Sequence, residues 1–335
     1  MDKLLINIAK EALQNRTVDK DDYLKVITKT DIYDLMYATN QLRRFYFHDR
    51  IEVTTLLNAK SGACLEDCKF CSQSSYYRTH APVYPLAPYQ VFLDSAKYAI
   101  NVKADRLCIV TSGNQLNEDE FNQMCQNVKK IKEQFNGDRI RVCCSIGMQT
   151  LERVKKLKES GVDRIHNNLE TSRRMFSSLC TTHSYEDKLK TLQAIRDGGA
   201  EMCAGGVFGL GEDWEDRIDL AFDLKLFEPE SVPINFLVPI KGTPFEKCQY
   251  LTPQEALKII CLYRLIFPKA TIRVSGGREY NLRTLQSQIF FAGANSIVTG
   301  GYLTVKGSSP ENDYQMIKDC GLKLNREVDT HDTDS

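Results

Sequence analysis

The chain has no surplus of charge of either sign. Its 335 residues carry 44 lysines and arginines against 44 aspartates and glutamates, which gives no electrostatic case for a nucleic-acid or membrane-surface partner. Long apolar runs are also missing, and none approaches the length of a membrane span. The opening segment, Met1-Asp-Lys-Leu-Leu-Ile-Asn-Ile-Ala-Lys10-Glu11, is an amphipathic helix pattern with charges where a signal peptide would have its apolar stretch. A cytoplasmic protein is therefore expected. There is no Ser/Pro-rich linker, no low-complexity tract and no internal repeat.

What the chain has in plenty is cysteine, twelve in all, within a composition (42% apolar, 26% charged) ordinary for a globular protein. In a reducing compartment so many cysteines argue for metal binding or catalysis rather than disulfides. Three of them, Cys64, Cys68 and Cys71, stand in one short C-x3-C-x2-C run. Thiolates so spaced can hold three corners of a cubane iron–sulfur cluster and leave one iron open, whereas ferredoxins supply four ligands. An open iron is a coordination site for a small molecule. The competing reading is a zinc knot, which usually shows paired knuckles or a nearby histidine pair. Only one C-x2-C half is present, and the nearest histidines, His48 and His80, form no such pair.

From residue 51 onward, short runs rich in β-branched residues alternate with longer amphipathic patterns. The strands read are 53–60, 106–111, 140–145, 164–170, 201–208, 232–238, 271–275 and 296–299. Helix patterns between them include 89–102, 118–135, 151–160, 185–197, 213–227, 253–266 and 282–291, with Thr252-Pro-Gln-Glu255 a clear start signal. Eight strands, each followed by a helix, indicate an α/β fold, a (β/α)8 TIM-type barrel. The expected organisation is an N-terminal helical extension over 1–50, the barrel over 51–325, and a disordered polar tail over 326–335.

Chemistry in such barrels sits at the C-terminal strand ends. Cys108, Cys143, Cys203 and Arg273 all fall within predicted strands, where an inward side chain enters the barrel. Their identity alone does not show that they converge, and separate core cysteines remain the other reading. Cys125, Cys180, Cys248, Cys261 and Cys320 need only the explanation that cysteine is a small, often buried hydrophobe.

The C-x3-C-x2-C loop, with Phe70 before its last cysteine, resembles that of the radical S-adenosylmethionine (SAM) enzymes. Gly62–Ser74, His166–Ser172, Met202–Glu212, Glu230–Asn235 and Ile272–Glu279 further resemble the biotin synthase family, in the same order along most of the chain. The resemblance implies that Cys64, Cys68 and Cys71 hold a [4Fe-4S] cluster with SAM at its open iron. It implies an auxiliary cluster, [2Fe-2S] in the family, on Cys108, Cys143, Cys203 and Arg273, which donates sulfur to dethiobiotin. Catalytic roles follow for the loop cysteines and Cys203. Phe70, Asn168, Glu170, Gly205 and Gly209 would serve SAM, and Asn168 and Asn235 the substrate. A flavodoxin- or ferredoxin-type electron donor and a homodimer are also implied.

Three departures matter. Glu170 stands where the common family pattern has aspartate. Arg273 is an unusual ligand, because guanidinium stays protonated and has no free lone pair. Cys143 is followed by Cys144, where the pattern has one cysteine. Adjacent strand residues face opposite ways, which sends Cys144 outward. A bulge could instead turn both inward and supply a fourth thiolate for a four-iron auxiliary cluster. The alternative functions are another radical SAM barrel enzyme (a mutase, methylase or hydrogenase-cofactor maturase) or a non-enzymatic iron–sulfur electron carrier or scaffold.

Overall fold

The computed structural model describes residues 2–135, 140–305 and 307–326. Of the tail expected to be disordered, all but Arg326 lies outside the described residues. Nine strands supply the barrel: β1 (Arg50–Lys60), β2 (Arg106–Thr111), β3 (Arg141–Ser145), β4 (Arg164–His166), β5 (Glu201–Cys203), β6 (Gly206–Phe208), β7 (Ser231–Phe236), β8 (Thr271–Val274) and β9 (Ser296–Val298). Every pairing is parallel, and β9 closes on β1 with Glu52 opposite Ser296. β5 and β6 share one place beside β7, which leaves eight positions around the barrel. A last short strand, β10 (Lys323–Leu324), adds to the start of β1.

Alternation decides which side chains enter the barrel. Leu107, Ile109, Val142, Cys144, Ile165 and Met202 face outward into one apolar core. There they meet helices α4 (Tyr89–Asn101), α5 (Glu118–Gln134), α6 (Leu151–Glu159), α8 (Tyr185–Asp197), α9 (Trp214–Lys225) and α10 (Pro253–Ile266). Their neighbours one residue along face in. Capping residues start several helices as the sequence suggests: Thr252 accepts the Glu255 N–H at α10, and Asn117 and Asp213 head capping boxes at α5 and α9. Before β1 lie α1 (Lys3–Leu13), α2 (Lys20–Lys29) and α3 (Ile32–Phe47), with α3 packed on α10 and α2 on α9. None of the described helices is long and apolar enough to cross a membrane.

Three expected elements differ. The run read as 201–208 breaks after Cys203, because a β-carbon on Gly205 would lie 2.0 Å from the Pro233 carbonyl oxygen of β7, and the chains can pass only there without one. The strand read as 164–170 ends at His166, although Asn167 and Leu169 still donate to the Cys203 and Gly205 carbonyls. The helix read as 282–291 is split into α11 (Arg278–Leu282), a 3-10 turn over Arg283–Leu285 and α12 (Gln288–Phe291), with Arg283 at φ 53°. The reading missed α7 (Arg173–Leu179), α13 (Pro310–Asp319) and β10.

Candidate active site

The C-terminal mouth of the barrel opens into a cavity of about 320 Å3. The loop after β1 forms one wall and brings Cys64, Phe70, Cys68 and Cys71 to it; all three cysteines are partly exposed. Local hydrogen bonds shape this loop. The Cys64 N–H donates to the Gln73 carbonyl at 3.1 Å, the Cys71 N–H to the Cys68 carbonyl at 2.9 Å, and Ser74 Oγ to the Glu66 carbonyl at 2.6 Å. Gly62 (φ 68°) begins the turn, where any side chain would strike Val83. Phe70 packs with Val207 and Leu237 at the cavity edge.

Deeper in the barrel, register brings Cys108 of β2 opposite Cys143 of β3, and Cys203 of β5 opposite His166 of β4. The three thiols are buried and lie outside the apolar core, as inward side chains should. Arg273 of β8 donates from Nη2 to Cys203 Sγ at 3.2 Å, and His166 Nδ1 lies at the same distance from that sulfur. Below them Arg106 and Arg164 bridge the carboxylates of Glu52 and Glu201 in a ring of four contacts between 2.9 and 3.3 Å. Burial opposes ionisation of every thiol in this group. At Cys203 the charges of Arg273, His166 and Arg164 outweigh it and bring the thiol down to about 6; at Cys108 and Cys143 burial prevails and the thiols are raised.

Cys144 does not join the three. It pairs with Ile109 and Ile165, sits in the apolar core with Cys125 of α5, and is fully buried. The register of β3 against β2 runs without a shift from Arg141 to Ser145, so the bulge needed to turn Cys144 inward is not present.

Asn168 and Glu170 both reach the cavity wall. Asn168 Oδ1 accepts the Gly205 N–H at 3.0 Å, and its Nδ2 donates to Glu170 Oε2 at 3.2 Å. Glu170 adopts φ 71°, a conformation costly for any residue with a β-carbon. Asn235 is buried on the wall, donating to the Gly206 carbonyl at 3.1 Å and accepting from the Gly276 N–H at 3.2 Å. Neither Gly205 nor Gly209 lines the cavity; Val207 between them does. Sequence reasoning missed Tyr302 and Thr304, which reach the cavity from the segment after β9, Thr304 through a 2.9 Å contact with Ser72. It also missed Cys180 and His183, drawn against Cys68 by contacts more than a hundred residues apart in sequence.

The donor sets fit iron–sulfur clusters. Three half-buried thiols on one loop suit a cluster open to a small molecule. Three buried thiols facing Arg106, Arg164 and Arg273 suit an anionic group, and buried Arg273 Nη1 has no hydrogen-bond partner among the described residues.

A parallel barrel with such a loop at its mouth defines the class. Residues 59–224 match the radical SAM superfamily, and 233–323 the Biotin and Thiamin Synthesis associated domain. The chain is similar to the biotin synthases of Persephonella marina, 42% identical with 97% of this chain and 96% of that one covered, and of Aquifex aeolicus, 41% identical with 98% and 99% covered. It belongs to the biotin synthase family. In fold it resembles methylornithine synthase (TM-score 0.82, 18% identical, 95% of this chain and 97% of that one) and the [FeFe]-hydrogenase maturase HydG (TM-score 0.82, 15% identical, 96% and 75%). The family favours sulfur insertion over the mutase, methylase, maturase and electron-carrier alternatives, and it implies a SAM-binding four-iron cluster and an auxiliary cluster.

Proposed function

We propose that this chain is a radical SAM sulfurtransferase that inserts sulfur into dethiobiotin to form biotin. The observation that carries this reading is one cavity with the C-x3-C-x2-C cysteines on its wall and Cys108 and Arg273 on its floor, Arg273 in contact with Cys203. In this reading Cys64, Cys68 and Cys71 hold the [4Fe-4S] cluster, and Cys108, Cys143, Cys203 and Arg273 hold a [2Fe-2S] cluster. When bound, the first would supply the electron that cleaves SAM for hydrogen abstraction, and the second would supply the sulfur atom.

The chain's own residues bind, orient and shield. Glu170 and Asn168 lie on the same wall as the loop cysteines, where carboxylate and amide suit the ribose hydroxyls of SAM and the ureido group of the substrate. Asn235, fixed through both ends of its amide, offers its remaining donor and acceptor capacity to the same group. Val207, Phe70 and Leu237 supply apolar walls that exclude water from the reacting carbons. Gly205 and Gly209 act indirectly, flanking the short strand β6 that carries Val207. A flavodoxin- or ferredoxin-type donor, a homodimer and a cytoplasmic location complete the reading on family grounds, as does a division into helical extension (1–50) and barrel (51–325).

The test is anaerobic turnover of the reconstituted protein with SAM, a low-potential reductant and methyl-deuterated dethiobiotin, followed by mass spectrometry. Deuterium in 5′-deoxyadenosine together with biotin is expected. SAM cleavage without label transfer or biotin would overturn the substrate and return the chain to the other radical SAM chemistries.

A further inference from the structure

Cys68 faces two potential ligands that the proposed function leaves unused. The loop from Glu66 to Lys69 is clasped onto the segment that follows α7. Asp67 Oδ1 accepts the N–H groups of Thr181 at 2.8 Å and Thr182 at 3.2 Å, and the Lys69 N–H donates to the Leu179 carbonyl at 3.0 Å. This clasp brings Cys68 against Cys180 and His183, whose ligand atoms all lie within 4.8 Å of one another. Cys180 Sγ is 3.3 Å from His183 Nδ1, and the Glu66 carboxylate bonds to that same imidazole. The His183 side chain is 6% exposed and that of Glu66 12%. Phe176 packs edge-on against the ring at 5.5 Å and fixes its tilt.

Two thiols and an imidazole are three of the four donors of a tetrahedral zinc site, whose fourth position water can fill. With Zn–S bonds of about 2.3 Å and a Zn–N bond of about 2.0 Å, tetrahedral geometry separates the donors by roughly 3.5–3.8 Å. The observed spread closes to that by side-chain movements well under the length of a bond. The pair Cys180-Thr-Thr-His183 supplies two of the three donors on one short segment, which Asp67 already holds through the Thr181 and Thr182 N–H groups.

We propose that the cluster-free chain binds one zinc-class divalent cation at Cys68, Cys180 and His183, with the fourth position left to water, and that this ion withholds Cys68 from the iron–sulfur cluster. The second clause rests on the proposed role of Cys68 as a cluster ligand; the first does not. The zinc form and the cluster form are alternatives, because one thiolate cannot take its place in both. A chain released without its cluster would then hold a metal-capped loop rather than a free thiol, and cluster assembly would have to displace that ion.

The experiment is an anaerobic Co2+ titration of the full-length, cluster-free protein, read by visible d–d bands and thiolate-to-cobalt charge transfer. One equivalent in tetrahedral geometry is expected. Cys180→Ser and His183→Gln should each weaken binding by about 10- to 100-fold or more, while Cys71→Ser should leave it near wild type. Loss of the signal in Cys71→Ser with retention in Cys180→Ser would overturn the site and put the ion on the cluster loop alone. Absence of a tetrahedral spectrum in the wild-type protein would overturn it outright. Cluster reconstitution of Cys180→Ser from iron and sulfide shows that this variant folds. Pre-loading with Zn2+ should slow cluster assembly in wild type and not in Cys180→Ser; equal rates would overturn the exclusion. None of these readouts uses dethiobiotin, so failure of the substrate assignment would leave them unchanged.

Discussion

Replacing Glu52 with glutamine tests whether the charged ring at the base of the barrel is a structural support. Glu52 lies between Arg106 Nε at 2.9 Å and Arg164 Nη1 at 3.3 Å, with its side chain 13% exposed and both guanidiniums buried. Burial alone would raise its carboxyl, but Arg164 and Arg106 outweigh burial and pull it from 4.5 down to about 2. At about 1.4 kcal/mol per pH unit, that drop amounts to about 3 kcal/mol of stability at neutral pH. Removing one partner of a buried ion pair costs about 3–5 kcal/mol by an independent route, so the two arguments agree.

The sign follows from the direction. A depressed carboxyl contributes fully above its unfolded value and loses that contribution as pH falls toward its folded one. Urea unfolding of the cluster-free protein should show Glu52→Gln less stable by about 3 kcal/mol at pH 7, or about 4–5 °C in melting temperature for a chain of this length. Between pH 5.5 and pH 4 the wild type should lose about 0.8 kcal/mol through this group, and the variant should not. A difference at pH 7 within about 0.5 kcal/mol, or an unchanged slope below pH 5.5, would refute the reasoning.

Cys144→Ala should leave iron and sulfide content at the wild-type level while costing about 1–2 kcal/mol for the buried sulfur it deletes; loss of iron would instead revive a fourth thiolate ligand. Gly205→Ala should destabilise the fold by about 2 kcal/mol or more, because its β-carbon meets the Pro233 backbone at 2.0 Å; a near-neutral melting temperature would show that the strands can part. Arg273→Met should lower auxiliary-cluster content after reconstitution while the loop cluster forms normally. Iron analysis matching the wild type would remove Arg273 from that site.

Much of the barrel was legible because its signals are local. α8 and α10 have the bounds read from sequence, since each begins at a capping residue and runs in helical period until an interruption. The three-cysteine spacing and the opposite facing of Cys143 and Cys144 are also local, and the placement of Cys144 follows from strand parity. What could not be read depends on distant contacts. The break between β5 and β6 is imposed by Pro233, and the approach of His183 to Cys68 by the Asp67 clasp. α13 is different, because Ser309-Pro310 is itself a local start signal, with Ser309 capping the helix and proline at its first position.

The arrangement of charge inside the barrel explains why an arginine, rather than a fourth cysteine, accompanies the three thiols. Arg106, Arg164 and Arg273 bring three positive charges to this depth, and Glu52 and Glu201 offset two of them in the ring below. The remaining charge belongs to Arg273, which is fully desolvated yet held protonated, Cys203 being the first of the thiols that favour its charge. Arg273, with His166 and Arg164, draws the Cys203 thiol down to about 6, while burial keeps the Cys108 and Cys143 thiols raised. A fourth inward thiol in place of Arg273 would add another anion and remove the cation that offsets the first. Buried charges of one sign are tolerated only when paired, and the inward side chains of this barrel supply those partners among themselves.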